Sequence, residues 1–294
     1  MHLRVGTRGS KLALAQADTV IRRLAELDIK AERVILTTQG DTTTGVPLHE
    51  IGGQGVFVRA LDDAILAGGI DCAVHSMKDI PAFRPSGLLT AAVLTRDSPA
   101  DYLAYPSTLD DVRVIGTSST RRRAQLLRHD PDLTIRDLRG NVDTRIRKMH
   151  AGEYDAIVLA KAGLERLAMQ IPGEPLPPEK FVPSPNQGTI AIVGKADPSV
   201  MEVLSALDDQ KTRTDVAIER AVMEQVGGGC FTPIGIYCKA GRLIAEVLSL
   251  DGKRTERIDT KVDSIENARA QGRILREKAQ DLILEAHTVL KVPL

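Results

Sequence analysis

The chain has 294 residues, 43% of them hydrophobic and 27% charged, which suits two or three ordinarily packed domains and excludes a disordered chain. Its 39 lysines and arginines equal its 39 aspartates and glutamates, so a general nucleic-acid binder is not expected and any basic site must be local. Three cysteines (Cys72, Cys230, Cys238) without metal-type spacing, no signal-peptide-like start and no apolar run of membrane-span length lead to an expectation of a cytoplasmic protein with no disulfide framework, metal or membrane association.

In chain order, HLRVGT (2–7) reads as a strand, GTRGS as a turn and KLALAQADTVIRRLAEL (11–27) as an amphipathic helix. Residues 40–55, GDTTTGVPLHEIGGQG, read as a long loop, either a lid or an ordinary surface excursion. The GGQG within it lacks dinucleotide-fingerprint spacing. DCAVHSMKDIP (71–81) runs apolar and stops at Lys78-Asp79, which places Asp79 at the carboxyl end of a strand. Such an aspartate either closes a turn or serves as a site carboxylate. His75, within the strand, reads as packed.

VRVIGT (112–117) is again a strand, followed by a polar turn and the helix start RRRAQLLRH (121–129). Gly6-Thr7 and Ala15-Gln16 echo Gly116-Thr117 and Ala124-Gln125, and AGGIDCAV (67–74) echoes AGEYDAIV (151–158). Two echoes in one order predict two related α/β lobes, with a ligand cleft between them beyond the strand ends. Arg121, Arg122 and Arg123 occupy a first helical turn, where the partial positive charge favours acids. An anion there would resolve the conflict, Ser119 and backbone N–H groups joining the guanidiniums; the alternative is solvated surface charge. Arg8 in GTRGSK and Arg139 and Arg145 in LRGNVDTR sit at comparable turns. No Walker-type loop is present, so the expected ligand carries carboxylates.

PGEPLPPEKFVPSPNQG (172–188) reads as a connection leaving the second lobe. VGGGCFTPIG (226–235) then sets Cys230 behind three glycines, as a small buried residue in a tight turn or as a sulfur that something bulky must reach. Strands at IGIYCKAG, RLIAEVLSLDG and RTERIDTKV and one helix, ENARAQGRILREKAQDLILEAH (266–287), predict a small antiparallel α+β domain.

The segments GTRGSKLALAQ, GVFVRAL, DCAVHSMKDIP, GTSSTRRRAQL, IRDLRGNVDTR, GEYDAIVLAKAGLERL, NQGTIAI, ERAVMEQVGGGC and TPIG, in this order, resemble the porphobilinogen deaminase (hydroxymethylbilane synthase) family. The resemblance implies an α/β fold of two periplasmic-binding-protein-like lobes with a cleft between them, plus a small C-terminal α+β domain. It implies domains over 1–94 with about 184–208, over 95–183, and over 209–294. It implies a monomeric transferase that joins four molecules of its substrate, porphobilinogen, into linear hydroxymethylbilane with loss of ammonia. The family builds the product on a dipyrromethane primer, bound by a thioether to a cysteine that matches Cys230. On that reading the glycines leave room for a pyrrole chain and let the loop move. Asp79 matches the catalytic aspartate, which bonds pyrrole N–H groups and stabilises the azafulvene-type cation left when ammonia departs. Lys78, Thr117, Ser119, Arg121, Arg122 and Arg145, with Asp79, match cofactor-holding positions. Arg8, Ser10, Gln16, Phe57, Arg139, Asn141, Arg145 and Gln187 match substrate-side positions, Phe57 as an aromatic stacked near the cofactor. Gln54 stands where relatives have a lysine, and Pro185-Asn186 replaces a more usual Val-Gly. Two other classes remain open on the residues alone. One is a non-catalytic binder of a small carboxylate or phosphate. The other is a nucleic-acid protein using the arginine run, which zero net charge and 3% aromatics disfavour.

Overall fold

The computed structural model describes residues 2–37, 56–82, 84–106 and 112–292; of these, the side chains of Val56, Phe57 and Cys230 lie outside the description, as do the expected loop over 40–55 and Gln54. In chain order the elements begin β1 (His2–Arg8), α1 (Lys11–Ala25), β2 (Lys30–Leu36), α2 (Val56–Leu66), β3 (Cys72–Ser76) and β4 (Leu88–Val93). They continue as β5 (Asp101–Ala104), β6 (Val114–Gly116), α3 (Thr120–His129), β7 (Thr134–Arg136), α4 (Val142–His150), β8 (Ala156–Ala160), α5 (Lys161–Arg166) and β9 (Gly173–Leu176). The last are β10 (Ile190–Lys195), α6 (Pro198–Ser205), α7 (Gln210–Val226), β11 (Ile234–Lys239), β12 (Arg242–Leu248), β13 (Thr255–Lys261), α8 (Ile265–Lys278) and α9 (Gln280–Leu290). The chain divides into two compact units, residues 1–97 with 188–214, and residues 98–187 with 215–294.

The first unit is built on a five-stranded sheet in the order β2-β1-β3-β10-β4. β1 runs parallel to β2 and β3, and β10 runs antiparallel to β3 and β4. β3 reads as an unbroken apolar run because Cys72, Ala73 and Val74 are all buried, as expected for a strand covered on both faces. α1 turns Ala17, Val20 and Leu24 onto the sheet, and they join Leu3, Val5 and Ile192 in one core.

The second unit repeats the plan: its sheet runs β7-β6-β8-β5-β9, with β6 parallel to β7 and β8 and β5 antiparallel to β8 and β9. The register repeats too. Gly6 pairs with Ala73 as Gly116 pairs with Ile157. Asp71 accepts from the Arg4 backbone N–H at 2.7 Å, and Asp155 accepts from that of Val114 at 2.7 Å. Each glycine is crowded by a side chain: a Cβ on Gly6 would lie 2.3 Å from Ile70 Cδ1, and one on Gly116 would lie 2.8 Å from Tyr154 Cδ1. Ile70 and Tyr154 each directly precede the echoed aspartate, so both sequence echoes describe one repeated contact.

The proline-rich stretch 172–188 is more than a connection, because it contains β9. Pro175 is tolerated there because β9 is an edge strand. The C-terminal sheet β11-β12-β13 is antiparallel, as expected. Ile234, Ile236 and Cys238 alternate with outward residues and meet Val222 and Val226 of α7, Leu275 of α8 and Ile283 of α9. On the opposite face Tyr237 and Ile244 pack on Val182. The single helix expected over 266–287 is two, α8 and α9, separated at buried Ala279.

Candidate active site

In the first unit the carboxyl ends of β1 and β3 lie side by side. Arg8 ends β1, and Ser10 caps α1, its hydroxyl accepting from the Ala13 N–H at 3.3 Å. Buried Gln16 donates Nε2 to Ser76 Oγ at 2.8 Å, tying α1 to the end of β3. β3 then passes into a 3-10 turn, Met77–Asp79. Its backbone holds it: Met77 N–H donates to Thr189 O at 2.9 Å and Ile80 N–H to Met77 O at 3.1 Å. Lys78 is half-buried and Asp79 is exposed. Arg8, Ser10, Gln16, His75, Ser76 and Asp79 line one pocket, to which Leu12, Val58 and Val74 add apolar surface. This is the strand-end position at which open α/β sheets bind ligands. His75 is buried within β3; burial, then the charges of Arg84 and Arg8, push its imidazole down to about 3, so it is neutral at neutral pH.

In the second unit the equivalent strand ends carry the arginines. Ser119 caps α3, its hydroxyl accepting from the Arg122 N–H at 3.4 Å. Ser118 Oγ donates to Leu138 O at 3.1 Å and accepts from Leu138 N–H at 3.0 Å, which fastens the turn after β6 to the turn after β7. Thr117 N–H donates to Arg136 O at 2.9 Å in the same region. Arg121 and Arg122 are buried, and both meet Asp101, which is fully buried at the start of β5. Arg121 Nη1 donates to Asp101 Oδ2 at 2.7 Å and to Val182 O at 2.8 Å. Arg122 donates Nε and Nη2 to Asp101 Oδ1 at 3.1 and 2.7 Å, and Nη1 to Val158 O at 2.8 Å. Burial alone would raise the Asp101 carboxyl; the two guanidiniums outweigh it and hold the group well below the usual carboxylate range. The arginine conflict read from the sequence is thus offset from within the unit, by two guanidiniums sharing one carboxylate.

Gln187, fully buried, donates Nε2 to Pro99 O and to Asp101 Oδ1, each at 2.9 Å. Arg139 and Asn141 are exposed on the turn that leads into α4, and the Asn141 side chain makes no capping hydrogen bond. Arg145 donates Nε to Gly140 O at 2.7 Å. Burial, then the neighbouring Arg122 and Arg139, push its guanidinium down to about 10. Of the expected residues, Arg8, Ser10, Gln16 and Asp79 share the first-unit pocket. Thr117, Ser119, Arg121, Arg122, Arg139, Asn141 and Arg145 gather at the ends of β6 and β7 in the second.

The loop that bears Cys230 is backbone of a rare kind. Gly227, Gly228 and Gly229 have φ of 68°, 80° and 65°, and a 3-10 turn, Gly229–Phe231, follows. A Cβ on Gly227 would lie 2.5 Å from Arg276 Nη1, and one on Gly228 would lie 2.7 Å from Thr232 Oγ1. Side chains thus stand beside both of these glycines, and the left-handed run is itself a reason for glycine here.

Sequence reasoning missed Asp101. The signal was present: a run of arginines at a first turn needs a counter-charge, and Asp101 directly precedes the apolar stretch YLA. Nothing local says which aspartate supplies that charge.

Two family models match the chain. "Porphobilinogen deaminase, dipyromethane cofactor binding domain" covers residues 3–202, and "Porphobilinogen deaminase, C-terminal domain" covers residues 214–281. A probable porphobilinogen deaminase of Methanosarcina acetivorans is 51% identical over 93% of this chain and 91% of its own. One of Archaeoglobus fulgidus is 46% identical over 95% of this chain and 99% of its own. The porphobilinogen deaminase of Geobacillus kaustophilus is 43% identical over 96% of both. Among solved structures, the lipoprotein Tp32 of Treponema pallidum is similar at 14% identity and a TM-score of 0.43, over 72% of this chain and 93% of that one.

Proposed function

The chain belongs to the porphobilinogen deaminase family, and on that premise we propose how its own residues carry the family's reaction. It is a transferase of tetrapyrrole biosynthesis that polymerises porphobilinogen into the linear tetrapyrrole hydroxymethylbilane on a dipyrromethane cofactor. The observation that carries the residue assignment is the pocket in which Asp79, Arg8, Ser10 and Gln16 converge at the ends of β1 and β3.

Asp79 is the catalytic residue. Its exposed carboxylate accepts hydrogen bonds from the pyrrole N–H of the substrate and stabilises the positive charge that develops as ammonia leaves. After the new carbon–carbon bond forms, the same carboxylate takes up the proton lost from the pyrrole carbon. Arg8, with Ser10 and Gln16 beside it, receives a substrate carboxylate. Arg139 and Asn141 bind the substrate's acidic side chains, and Arg145 serves substrate and cofactor alike. Phe57 stacks against pyrrole on the resemblance alone.

The donor set of the second unit fits a cofactor that bears acetate and propionate groups. Two buried guanidiniums share one carboxylate, and Arg121 commits only Nη1 to it, so positive charge and N–H donors remain for an anion. Arg121, Arg122, Arg145, Ser119 and Thr117 would hold that cofactor, with Lys78 and Asp79, and Cys230 would anchor it by a thioether. When bound, the dipyrromethane supplies the pyrrole carbon that attacks the incoming substrate. Gln187 supports the set through Asp101.

We propose further that residues 1–94 with about 184–208 form the domain of Asp79, 95–183 the arginine domain and 209–294 the anchor domain, and that the protein works as a cytoplasmic monomer. Intact mass of the purified protein, before and after porphobilinogen, tests the reading with Cys230→Ala alongside. The expected result is an excess of two linked pyrroles that grows in pyrrole steps and is absent from the variant. No adduct in the wild type after porphobilinogen would leave a carboxylate-binding protein instead.

A further inference from the structure

We propose that His287 and Arg276, on the two C-terminal helices, are positioning residues that clamp the glycine run before Cys230 and set the thiol for attachment of the primer; this rests on the assignment of Cys230 as the anchor.

The clamp has two arms. α8 lies close against the end of α7 at Gly272, where a Cβ would stand 2.9 Å from Val222 O and 2.7 Å from Gln225 Cβ. One turn further along α8, Arg276 Nη1 donates to Val226 O, the last residue of α7, at 2.8 Å. That bond places a cation on a helix C-terminus and satisfies one of its terminal carbonyls. α9 supplies the second arm. His287, buried, places Nε2 2.9 Å from Gly228 O and Nδ1 3.3 Å from Val292 O. Both ring nitrogens face carbonyls, which only accept, and the shorter contact assigns a ring proton to Nε2, toward Gly228. Thr232 Oγ1 donates to the same Gly228 oxygen at 2.7 Å, so both of its lone pairs are used.

These bonds fall on residues four and two positions before Cys230, and the run between them is all glycine at positive φ. Glycine loses the most freedom on ordering, so a loop of this composition holds one shape only if something outside it does the holding. Nothing in the run has a side chain with which to do so. The clamp is absent from a reading of residues 226–235 alone, because His287 lies 59 residues from Gly228.

The test uses protein made without porphobilinogen, so that Cys230 starts unmodified. Two rates are followed: attachment of pyrrole mass on adding porphobilinogen, and reaction of the thiol with an aromatic disulfide reagent. Cys72 and Cys238 are fully buried, so the reagent reports Cys230. His287→Ala and Arg276→Met should each slow attachment roughly tenfold and change the thiol rate several-fold, and His287→Gln, which keeps an N–H donor, should recover much of both. A merely structural role would lower the melting temperature without moving these rates in folded protein. If His287→Ala fails to fold, His287→Gln against Arg276→Met decides, since Arg276 is exposed on α8. Wild-type rates in the folded variants, with wild type acquiring pyrrole on Cys230, would overturn the clamp alone. A wild type that acquires none would overturn the anchor, and the clamp's purpose with it.

Discussion

Asp101 and Arg122 are joined through a single carboxylate oxygen, which accepts from Nε at 3.1 Å and from Nη2 at 2.7 Å, with Asp101 fully buried. Arg121 takes the other oxygen at 2.7 Å. The pair is worth most when broken, since removing the carboxylate strands two buried cations. Asp101→Asn should cost about 3–5 kcal/mol in chemical denaturation. Adding Arg122→Met to Asp101→Asn should restore part of that loss, because one stranded charge is then gone. A loss under about 1 kcal/mol for Asp101→Asn would mean the guanidiniums find other partners.

What the sequence allowed divides along the same line between local and distant signals. The Gly-Thr echo was legible because short segments repeat in the sequence itself, although the side chains that crowd Gly6 and Gly116, Ile70 and Tyr154, lie far along the chain. The C-terminal strands were legible from alternation, as at Ile234, Ile236 and Cys238. The place of β10 between β3 and β4 was not, since those partners lie about a hundred residues away and no local period encodes them. β9 was hidden by Pro175, which reads as a loop residue unless the strand is known to be an edge. At the site, Arg121 and Arg122 declared themselves by standing where a helix disfavours them, whereas Asp101 and His287 look ordinary until their partners are known. The roles of Asp79 and Cys230 came from resemblance, because one carboxylate or one thiol in a loop has no periodicity to read.

His75 makes stability depend on pH. In the folded chain it stays neutral down to about 3, whereas an unfolded histidine takes up its proton near 6.5. Between these values the unfolded state binds the extra proton, so the folded state loses stability as pH falls through that window. The slope approaches about 1.4 kcal/mol per pH unit for one proton. Urea midpoints taken from pH 6.5 to 4.5 should fall less steeply for His75→Asn than for wild type. Parallel curves would show that His75 is protonated in the fold.

Asn186 tests the departure from Val-Gly. Its φ of 62° is the left-handed conformation that glycine adopts without strain and asparagine tolerates better than most residues. Its backbone N–H donates to Glu219 at 2.6 Å, while its buried Oδ1 and Nδ2 have no hydrogen-bond partner among the described residues. Asn186→Gly keeps the backbone bond and removes an unsatisfied amide, so it should be neutral or stabilising by about 1 kcal/mol. Asn186→Val should destabilise, because a branched Cβ resists positive φ. Thermal melts of the two variants decide it, and a destabilised glycine variant would mean that the amide is satisfied in solution.

Asp79 separates fold from chemistry. The turn that carries it is held by backbone bonds, Met77 N–H to Thr189 O and Ile80 N–H to Met77 O, and the exposed carboxylate takes no part in them. Asp79→Asn should therefore leave the melting temperature within about 1–2 °C of wild type, as surface substitutions do. Turnover should fall roughly 10²–10⁴-fold, the usual worth of a positioned acid–base group. An amide can still accept from a pyrrole N–H through its oxygen, but it neither balances a developing cation nor takes a proton. Substrate binding, which we assign to Arg8 and its neighbours, should change less than the rate. A variant with near-normal turnover would remove Asp79 from the mechanism, and one that melted early would show that the carboxylate holds the turn.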